Sequence, residues 1–200
     1  MSTINKKTIE DFLKSGVAGG NFAQRHVGIC MGEGDADVII QADNEDDKWF
    51  DDTRFVHYMR KKVHSVEAGA GITVISGPFT GCKMASYIEN GKRYVCHIAF
   101  DAGSDNKNEV FFNGFKSKEG REICAVFSPF EEMSDGKYDM DNLFNSEVYG
   151  IIGDDNMCYS FVVASTVAIK NDLKAEYKIV GWKQYKAEKT TTSKEFCCIL

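Results

Sequence analysis

The chain has 200 residues, of which 43% are hydrophobic, and its formal net charge is −6. This length and apolar content fit one domain with a substantial core, and they exclude a fibrous, collagenous or wholly disordered chain. The acidic balance argues against a nucleic-acid binder, because such a protein needs a concentrated basic surface. The seven cysteines have no paired spacing, so we expect reduced thiols in a reducing compartment.

The N-terminal part of the chain begins without the apolar run of a secretory signal, and no segment reaches the ~18 apolar residues that span a membrane. We expect one domain over residues 1–187 and a flexible tail over residues 188–200. The segment from Thr8 to Gly16 is typical of a short helix, with Thr8 as the N-cap and Gly16 as the stop. The segments from His26 to Met31 and from Asp37 to Ala42 have strand character and predict a hairpin.

The next segments combine acidic and apolar residues. The acidic run from Asp43 to Asp52 lacks the spacing and the glycine of a calcium loop, so we interpret it as a solvated loop. From Thr53 to Val66, apolar residues recur at near-helical spacing and predict a helix. The segment from Ile72 to Ser76 is typical of a buried strand.

The C-terminal half is rich in short strand-like segments separated by turn residues. After a polar loop from Asp101 to Asn108, the pattern predicts strands at Glu109 to Phe115, Ile123 to Phe127, Glu147 to Ile152, Met157 to Thr166 and Glu176 to Lys186. The acids Glu131 and Glu132 and the run from Asp135 to Asn142 predict a long irregular loop, which we expect to form part of a substrate rim. The whole pattern favours the α+β class, a β-sandwich of mostly antiparallel strands flanked by short helices.

The most informative stretch runs from Ser76 to Phe100 and predicts a β-hairpin. Asn90-Gly91 is the strongest short-range hairpin signal, because a type I′ turn needs positive φ at both central residues. A two-residue turn there places Cys82 and His97 on the same face of the hairpin, as diagonal neighbours with Cβ atoms ~7 Å apart. Cys96 has the opposite parity and is expected to point to the other face.

A cysteine beside an imidazole suits nucleophilic attack on an amide carbon. The imidazole lowers the pKa of the thiol and passes its proton to the leaving group. The glycines near Cys82 allow tight backbone turns, so backbone N–H groups at Gly81 and Cys82 are candidates for holding an oxyanion. A Cys-His pair on one face of a hairpin is also compatible with simple core packing. We expect no metal site, since His57 and His64 have no carboxylate at metal-ligand spacing.

The sequence Thr-Gly-Cys82-Lys, followed by Cys-His97-Ile fifteen residues after the first cysteine, resembles a known catalytic core. It is similar to that of the cytotoxic necrotizing factor toxins, Burkholderia lethal factor and the chemoreceptor deamidase CheD. The resemblance implies a protein-glutamine deamidase with a Cys-His pair on a β-sandwich and no metal or organic cofactor. It assigns Cys82 and His97 as catalytic, and it places Ser76 at the position of the third polar residue.

The same resemblance implies a bacterial effector or toxin that reaches the host cytosol without a classical signal peptide and acts on a host protein. The sequence ends in Cys197-Cys198-Ile199-Leu200, which fits the C-a-a-X pattern and predicts lipidation at Cys197 and peripheral membrane association. The resemblance leaves two substrate classes open, small Rho-type GTPases and the RNA helicases of translation initiation. The C-terminal prenylation pattern favours the GTPase, because lipidation would place enzyme and substrate on the same membranes. The competing hypotheses are a non-enzymatic immunity or adaptor protein, and a transglutaminase or thiol protease that uses the same Cys-His pair.

Overall fold

The structure is a computed structural model that describes residues 2–16, 38–41, 52–100, 105–133, 146–166 and 176–186. Within these residues the chain forms three helices and ten strands. The helices are α1 (Ser2–Ser15), α2 (Asp105–Ser117) and α3 (Pro129–Met133). The strands are β1 (Val38–Gln41), β2 (Thr53–His57), β3 (Val63–Glu67), β4 (Thr73–Phe79), β5 (Lys83–Glu89), β6 (Lys92–Ile98), β7 (Arg121–Phe127), β8 (Ser146–Ile152), β9 (Met157–Thr166) and β10 (Glu176–Lys186).

The strands form two five-stranded sheets that pack face to face. Sheet I has the order β1-β3-β6-β5-β7, and sheet II has the order β10-β9-β8-β4-β2. Neighbouring strands are antiparallel, except that β1 pairs with β3 and β2 pairs with β4 in parallel. The expected α+β class with a β-sandwich of mostly antiparallel strands and short helices is therefore confirmed.

Each sheet has one face toward the other sheet and one face toward a helix. The core between the sheets includes Val74 and Ile152 from sheet II and Met84, Val95 and Phe127 from sheet I. On the outer face of sheet II, α1 buries Ile9 and Leu13 against Ile75, Tyr149 and Phe161. On the outer face of sheet I, Phe115 of α2 packs with Tyr87, Tyr94, Cys96 and Ile98. The molecule is thus layered as helix, sheet, sheet and helix.

Two segments that were predicted as a helix and as a strand have the wrong type. The segment from Thr53 to Val66 is not a helix, because it forms β2, a turn with Lys61 at φ 59°, and most of β3. Phe55 and Val56 are both buried, one on each face of sheet II, so the strand lacks the alternation that would distinguish it from a helix. The segment from Glu109 to Phe115 is not a strand, because it lies in α2 and packs its phenylalanines on sheet I.

The other predicted elements agree more closely. The N-terminal helix begins earlier than expected and ends before Gly16, which has a φ of 68°. The last two strands have the predicted bounds. Glu131 and Glu132, which we expected in an irregular loop, lie in the short helix α3. Several predictions lie outside the described residues: the strand at His26 to Met31, the acidic loop up to residue 51, the rim segment from Asp135 to Asn142, and the tail with Cys197.

Candidate active site

The central hairpin has the predicted turn and pairing. Asn90 and Gly91 have φ values of 53° and 73°, which are the positive angles that a type I′ turn requires. Glu89 pairs with Lys92, and Met84 pairs with His97. The register that the Asn-Gly turn predicts is therefore confirmed along the whole of β5 and β6.

This register decides which side chains enter the core between the sheets. Cys82 is part of that core, together with Met84 and Val95. His97 shares the inward face, because it lies two residues after Val95 on the same strand. Cys96 packs on the opposite face, toward α2. The predicted division, with Cys82 and His97 on one face and Cys96 on the other, is confirmed.

A bulge in β4 brings a second set of residues to the same place. The pairing between β4 and β8 shifts between Ser76, which is opposite Gly150, and Phe79, which is opposite Val148. Ser76 and Phe79 are three residues apart, and in a regular strand they would point to opposite faces. With the extra residue in the bulge, both of them face His97. The Gly77-Pro78 pair is a sequence signal for irregular backbone at this point. The pattern of strand-forming residues by itself does not predict a bulge there.

Ser76 connects the two sheets through a hydrogen bond to His97. The Ser76 Oγ lies 2.9 Å from the His97 Nδ1 and 2.7 Å from the carbonyl oxygen of Val56. A serine hydroxyl has one proton, and the carbonyl can only accept it, so Ser76 donates to Val56. The His97 Nδ1 therefore carries a proton and donates it to Ser76. In the neutral imidazole, this leaves Nε2 as an unprotonated acceptor.

His97 is fully buried between two aromatic rings, and its burial keeps the imidazole neutral. The side chain is fully buried, and its Nε2 has no hydrogen-bond partner among the described residues. The ring of Phe79 stacks on it with centroids 4.2 Å apart and planes 7° from parallel, and Tyr58 meets it edge-on at 5.3 Å. Burial and, to a smaller extent, the electrostatic effect of His64, its direct partner on β3, together lower the pKa of His97 to about 3.

Cys82 is a buried thiol, not a preformed thiolate. Its side chain is 6% exposed, and burial raises its pKa, although a backbone hydrogen bond at Phe100 acts in the opposite direction. The sequence led us to expect a thiol pKa lowered by the imidazole. The structure differs because both groups lie in the core between the sheets, where desolvation disfavours a charge on either one.

The chain reaches the surface directly before Cys82. Thr80 and Gly81 are exposed, and Gly81 has a φ of 140°, a conformation that favours glycine. A Cβ at Gly81 would meet no atom within 4 Å. The side chain of Lys83, on the other side of Cys82, donates a hydrogen bond of 2.9 Å to the Ser128 hydroxyl. The backbone directly before Cys82 is therefore exposed to solvent. The backbone N–H groups of Gly81 and Cys82 are the two candidates for binding the oxyanion.

The remaining histidines and acids do not form a second cluster in the described part of the chain. The His64 Nδ1 lies 2.8 Å from the backbone carbonyl oxygen of His57. The side chain of His64 therefore hydrogen-bonds to the backbone of His57. The described ranges contain no group of three or more His, Cys, Asp or Glu side chains placed to hold a metal ion. No helix within them is long and apolar enough to cross a membrane.

The residues that the sequence singled out are thus largely in one place. Ser76 contacts His97, and Gly81 marks the exposed end of the segment; Cys82 shares the inward face with His97 but makes no hydrogen bond to its Nε2 in this structure. Pattern reasoning did not find Phe79 and Tyr58, although the phenylalanine lies within the Ser-Gly-Pro-Phe run. No protein-family model matches the chain, and no curated protein or solved structure matches it at a significant level.

Proposed function

We propose that the chain is a protein-glutamine deamidase in which Cys82 is the nucleophile and His97 is the base. The observation that carries this proposal is the Ser76–His97 hydrogen bond between the two sheets. It fixes the imidazole as the Nδ1–H tautomer and leaves a free Nε2 lone pair on the hairpin face that also bears Cys82. A general base for a thiol needs a free, oriented lone pair, which the His97 Nε2 has, and hydrogen-bond reach to the thiol, which the proposal requires Cys82 and His97 to gain when substrate binds.

In the first half of the reaction, the thiol attacks the side-chain amide of a glutamine. The proton of the Cys82 Sγ moves to the His97 Nε2 while the sulfur forms a bond to the amide carbon. Backbone N–H groups at Gly81 and Cys82 bind the negative oxygen of the tetrahedral intermediate. His97 then donates the proton to the nitrogen of the substrate amide. The carbon–nitrogen bond breaks, ammonia departs, and the acyl group remains bound to Cys82 as a thioester.

In the second half, water hydrolyses the thioester. His97 accepts a proton from the water as its oxygen attacks the thioester carbon, and the carbon–sulfur bond then breaks. The departing sulfur takes the proton back from His97, which restores the thiol and the neutral imidazole. The net reaction converts glutamine and water into glutamate and ammonia. Transamidation differs only in the nucleophile, since an amine would replace the water.

The burial of Cys82 and His97 supports a neutral starting state for this mechanism. A thiolate and an imidazolium would both be disfavoured in the core between the sheets. A neutral thiol and a neutral imidazole avoid those charges until the substrate amide arrives. The charge separation is then confined to the transition state, where the oxyanion donors and the aromatic rings around His97 act on it.

The proposed substrate is a protein of the host cell. This part of the proposal follows from the resemblance of the Thr80-Gly81-Cys82 and Cys96-His97 segments to deamidase toxins, and the β-sandwich is compatible with it. A small Rho-type GTPase is the favoured target, because the C-terminal C-a-a-X pattern would place both proteins on the same membranes, and a translation-initiation helicase is the other candidate. The chain would then act as a bacterial effector in the host cytosol.

The decisive test is the conversion of a target glutamine to glutamate. Purified small GTPases and a host-cell lysate are incubated with the protein, and peptide mass spectrometry locates glutamines whose amide nitrogen has been replaced by oxygen. We expect conversion by the wild type and by Cys96→Ser, a matched control on the other face of the same hairpin. Conversion is lost in Cys82→Ser and in His97→Ala. If all four proteins leave every glutamine intact, the deamidase proposal is wrong.

The burial of Cys82 is also the observation that favours the competing, non-enzymatic hypothesis. A thiol that serves only the core has no reason to react quickly, so the alkylation of each cysteine by iodoacetamide distinguishes the two cases. Cys124, which is half-buried on β7, is the internal reference. We expect the alkylation of Cys82 at neutral pH to be slower in His97→Ala than in the wild type, while Cys124 reacts at the same rate in both proteins; equal rates for Cys82 in the two proteins would favour the non-enzymatic hypothesis.

A further inference from the structure

The ring stacked on His97 has a place in the proposed reaction. The Phe79 and His97 rings are nearly parallel, with 4.2 Å between their centroids, so one face of the imidazole is covered by an aromatic π-system. His97 is neutral before attack and becomes a cation when it accepts the Cys82 proton. That cation then has no water around it, because the side chain is fully buried.

The fold places Phe79 there through the bulge in β4. Without the register shift between Ser76 and Phe79, the phenylalanine would point to the outer face of sheet II. With the bulge, its side chain is 1% exposed and belongs to the same cluster as Cys82 and Met84. Gly77 permits this path because Tyr149 occupies the space where a Cβ would lie. Ser76 therefore orients one edge of the imidazole, while Phe79 covers its face.

We propose that Phe79 is a positioning residue that stabilises the imidazolium form of His97 during proton transfer from Cys82. This inference rests on the proposed deamidase function, since it concerns the base of that reaction. The face of an aromatic ring carries negative charge density and attracts a cation close to it. Stabilisation of the cation lowers the barrier for attack, because the charge exists in the transition state but not in the resting enzyme.

A purely structural role for Phe79 makes a different prediction. If the ring only fills space, any substituent of the same size and shape preserves the reactivity of Cys82. If its π-charge matters, reactivity follows the charge density of the ring at constant volume. Fluorination changes this charge density with little change in shape, and it withdraws electrons from the face in proportion to the number of fluorine atoms.

The experiment replaces Phe79 by fluorinated phenylalanines through amber suppression in the full chain. The rate of Cys82 alkylation by iodoacetamide is measured for the monofluoro, difluoro, trifluoro and pentafluoro derivatives. We expect a graded decrease, since loss of a cation–π contact corresponds to roughly a 2- to 30-fold change in rate. Phe161 is the matched control, because it is fully buried but stacks on Tyr149 in the outer core of sheet II. Phe79→Leu provides a second variant without a π-system.

Each outcome bears on the proposal. A graded decrease for position 79, with unchanged rates for position 161 and unchanged melting temperatures, supports it. Equal rates across the series at position 79, together with slow alkylation in His97→Ala, overturn the role of Phe79 and leave the deamidase proposal intact. Equal decreases at both positions also overturn it, because the effect is then not specific to His97. If His97→Ala alkylates at the wild-type rate, the Cys82–His97 chemistry fails, and the role of Phe79 fails with it.

Discussion

At the scale of single residues, the candidate site depends on the one proton of the Ser76 hydroxyl. Because that proton goes to the Val56 carbonyl, the hydroxyl can only accept from His97. The direction of the hydrogen bond from the His97 Nδ1 to the Ser76 Oγ determines which nitrogen of the imidazole is available as a base. The Ser76 hydroxyl therefore sets the tautomer of His97 in addition to donating a hydrogen bond to a buried carbonyl.

Removal of this hydroxyl tests its role directly. In Ser76→Ala, the Nδ1–H of His97 loses its acceptor in a fully buried site, which we expect to lower the free energy of unfolding by about 1–3 kcal/mol. The imidazole is then free to adopt the Nε2–H tautomer, so ¹⁵N shifts of the ring should change and Cys82 alkylation should slow. Urea denaturation and NMR of His97 check both effects.

Ser160 provides the matched control for this substitution. It is also a fully buried serine in a β-strand, but its Oγ has no hydrogen-bond partner among the described residues. Ser160→Ala should therefore be close to neutral or stabilising, because no buried partner is left without a hydrogen bond. Similar losses of stability in the two variants, with unchanged ¹⁵N shifts in Ser76→Ala, would contradict the role assigned to Ser76.

At the scale of elements, the bulge in β4 builds the site from a strand that would otherwise be ordinary. A single extra residue between Ser76 and Phe79 places Phe79 on the same face as Ser76. The bulge lies directly before the turn that carries Gly81 and Cys82. Bulges next to active sites commonly redirect side chains in this way.

The close contact at Gly77 makes the bulge testable. A Cβ at this position would lie 2.4 Å from the Cδ1 of the buried Tyr149, so Gly77→Ala must displace the strand or the tyrosine. We expect a loss of about 1–3 kcal/mol in the free energy of unfolding, as for other overpacked cores, together with slower alkylation of Cys82. Gly69→Ala is the control, since a Cβ there meets nothing within 4 Å. If the two variants unfold at the same urea concentration, the proposed constraint at Gly77 is wrong.

At the scale of the whole molecule, the sheets are joined by polar contacts at both ends. Near the candidate site, the connection is the hydrogen bond between Ser76 and His97. At the far end, Arg93 of sheet I reaches the β8–β9 turn of sheet II, where its Nη2 lies 2.5 Å from the Gly153 carbonyl and 3.3 Å from the Asn156 Oδ1. Ser86 donates a hydrogen bond of 2.7 Å to the same Asn156 oxygen. We call the contacts of Arg93 with Gly153 and Asn156 the arginine clamp. It lies at the opposite end of the hairpin from Cys82.

The arginine clamp should contribute to stability without affecting the chemistry. Arg93→Met retains much of the side-chain volume but leaves the Gly153 carbonyl without this donor, so we expect a loss of about 2–3 kcal/mol in the free energy of unfolding. Lys92→Met, which removes an exposed ion pair with Glu67, should leave the free energy of unfolding almost unchanged, because exposed ion pairs contribute little. Both variants should retain the wild-type rate of Cys82 alkylation. A large change in that rate for Arg93→Met would show that the two ends are coupled.

The sequence by itself determined the local features of the site. The Asn90-Gly91 turn predicted the register of β5 and β6, because the positive φ angles depend only on those two residues. From that register followed the shared face of Cys82 and His97 and the opposite position of Cys96. The last two strands were equally clear, since β-forming residues fill each of them between polar segments.

The tertiary structure alone decided the features that depend on what covers each face. The residues from Thr53 to Val66 could not be distinguished from a helix, because both faces of sheet II are buried and alternation is lost. The segment from Glu109 to Phe115 is helical because its phenylalanines pack on the outer face of sheet I. The bulge that turns Phe79 toward His97 brings Gly77 against the ring of Tyr149, a contact between β4 and β8 that the local sequence does not show. The protonation of Cys82 and His97 was likewise beyond the sequence, because it depends on their burial between the two sheets.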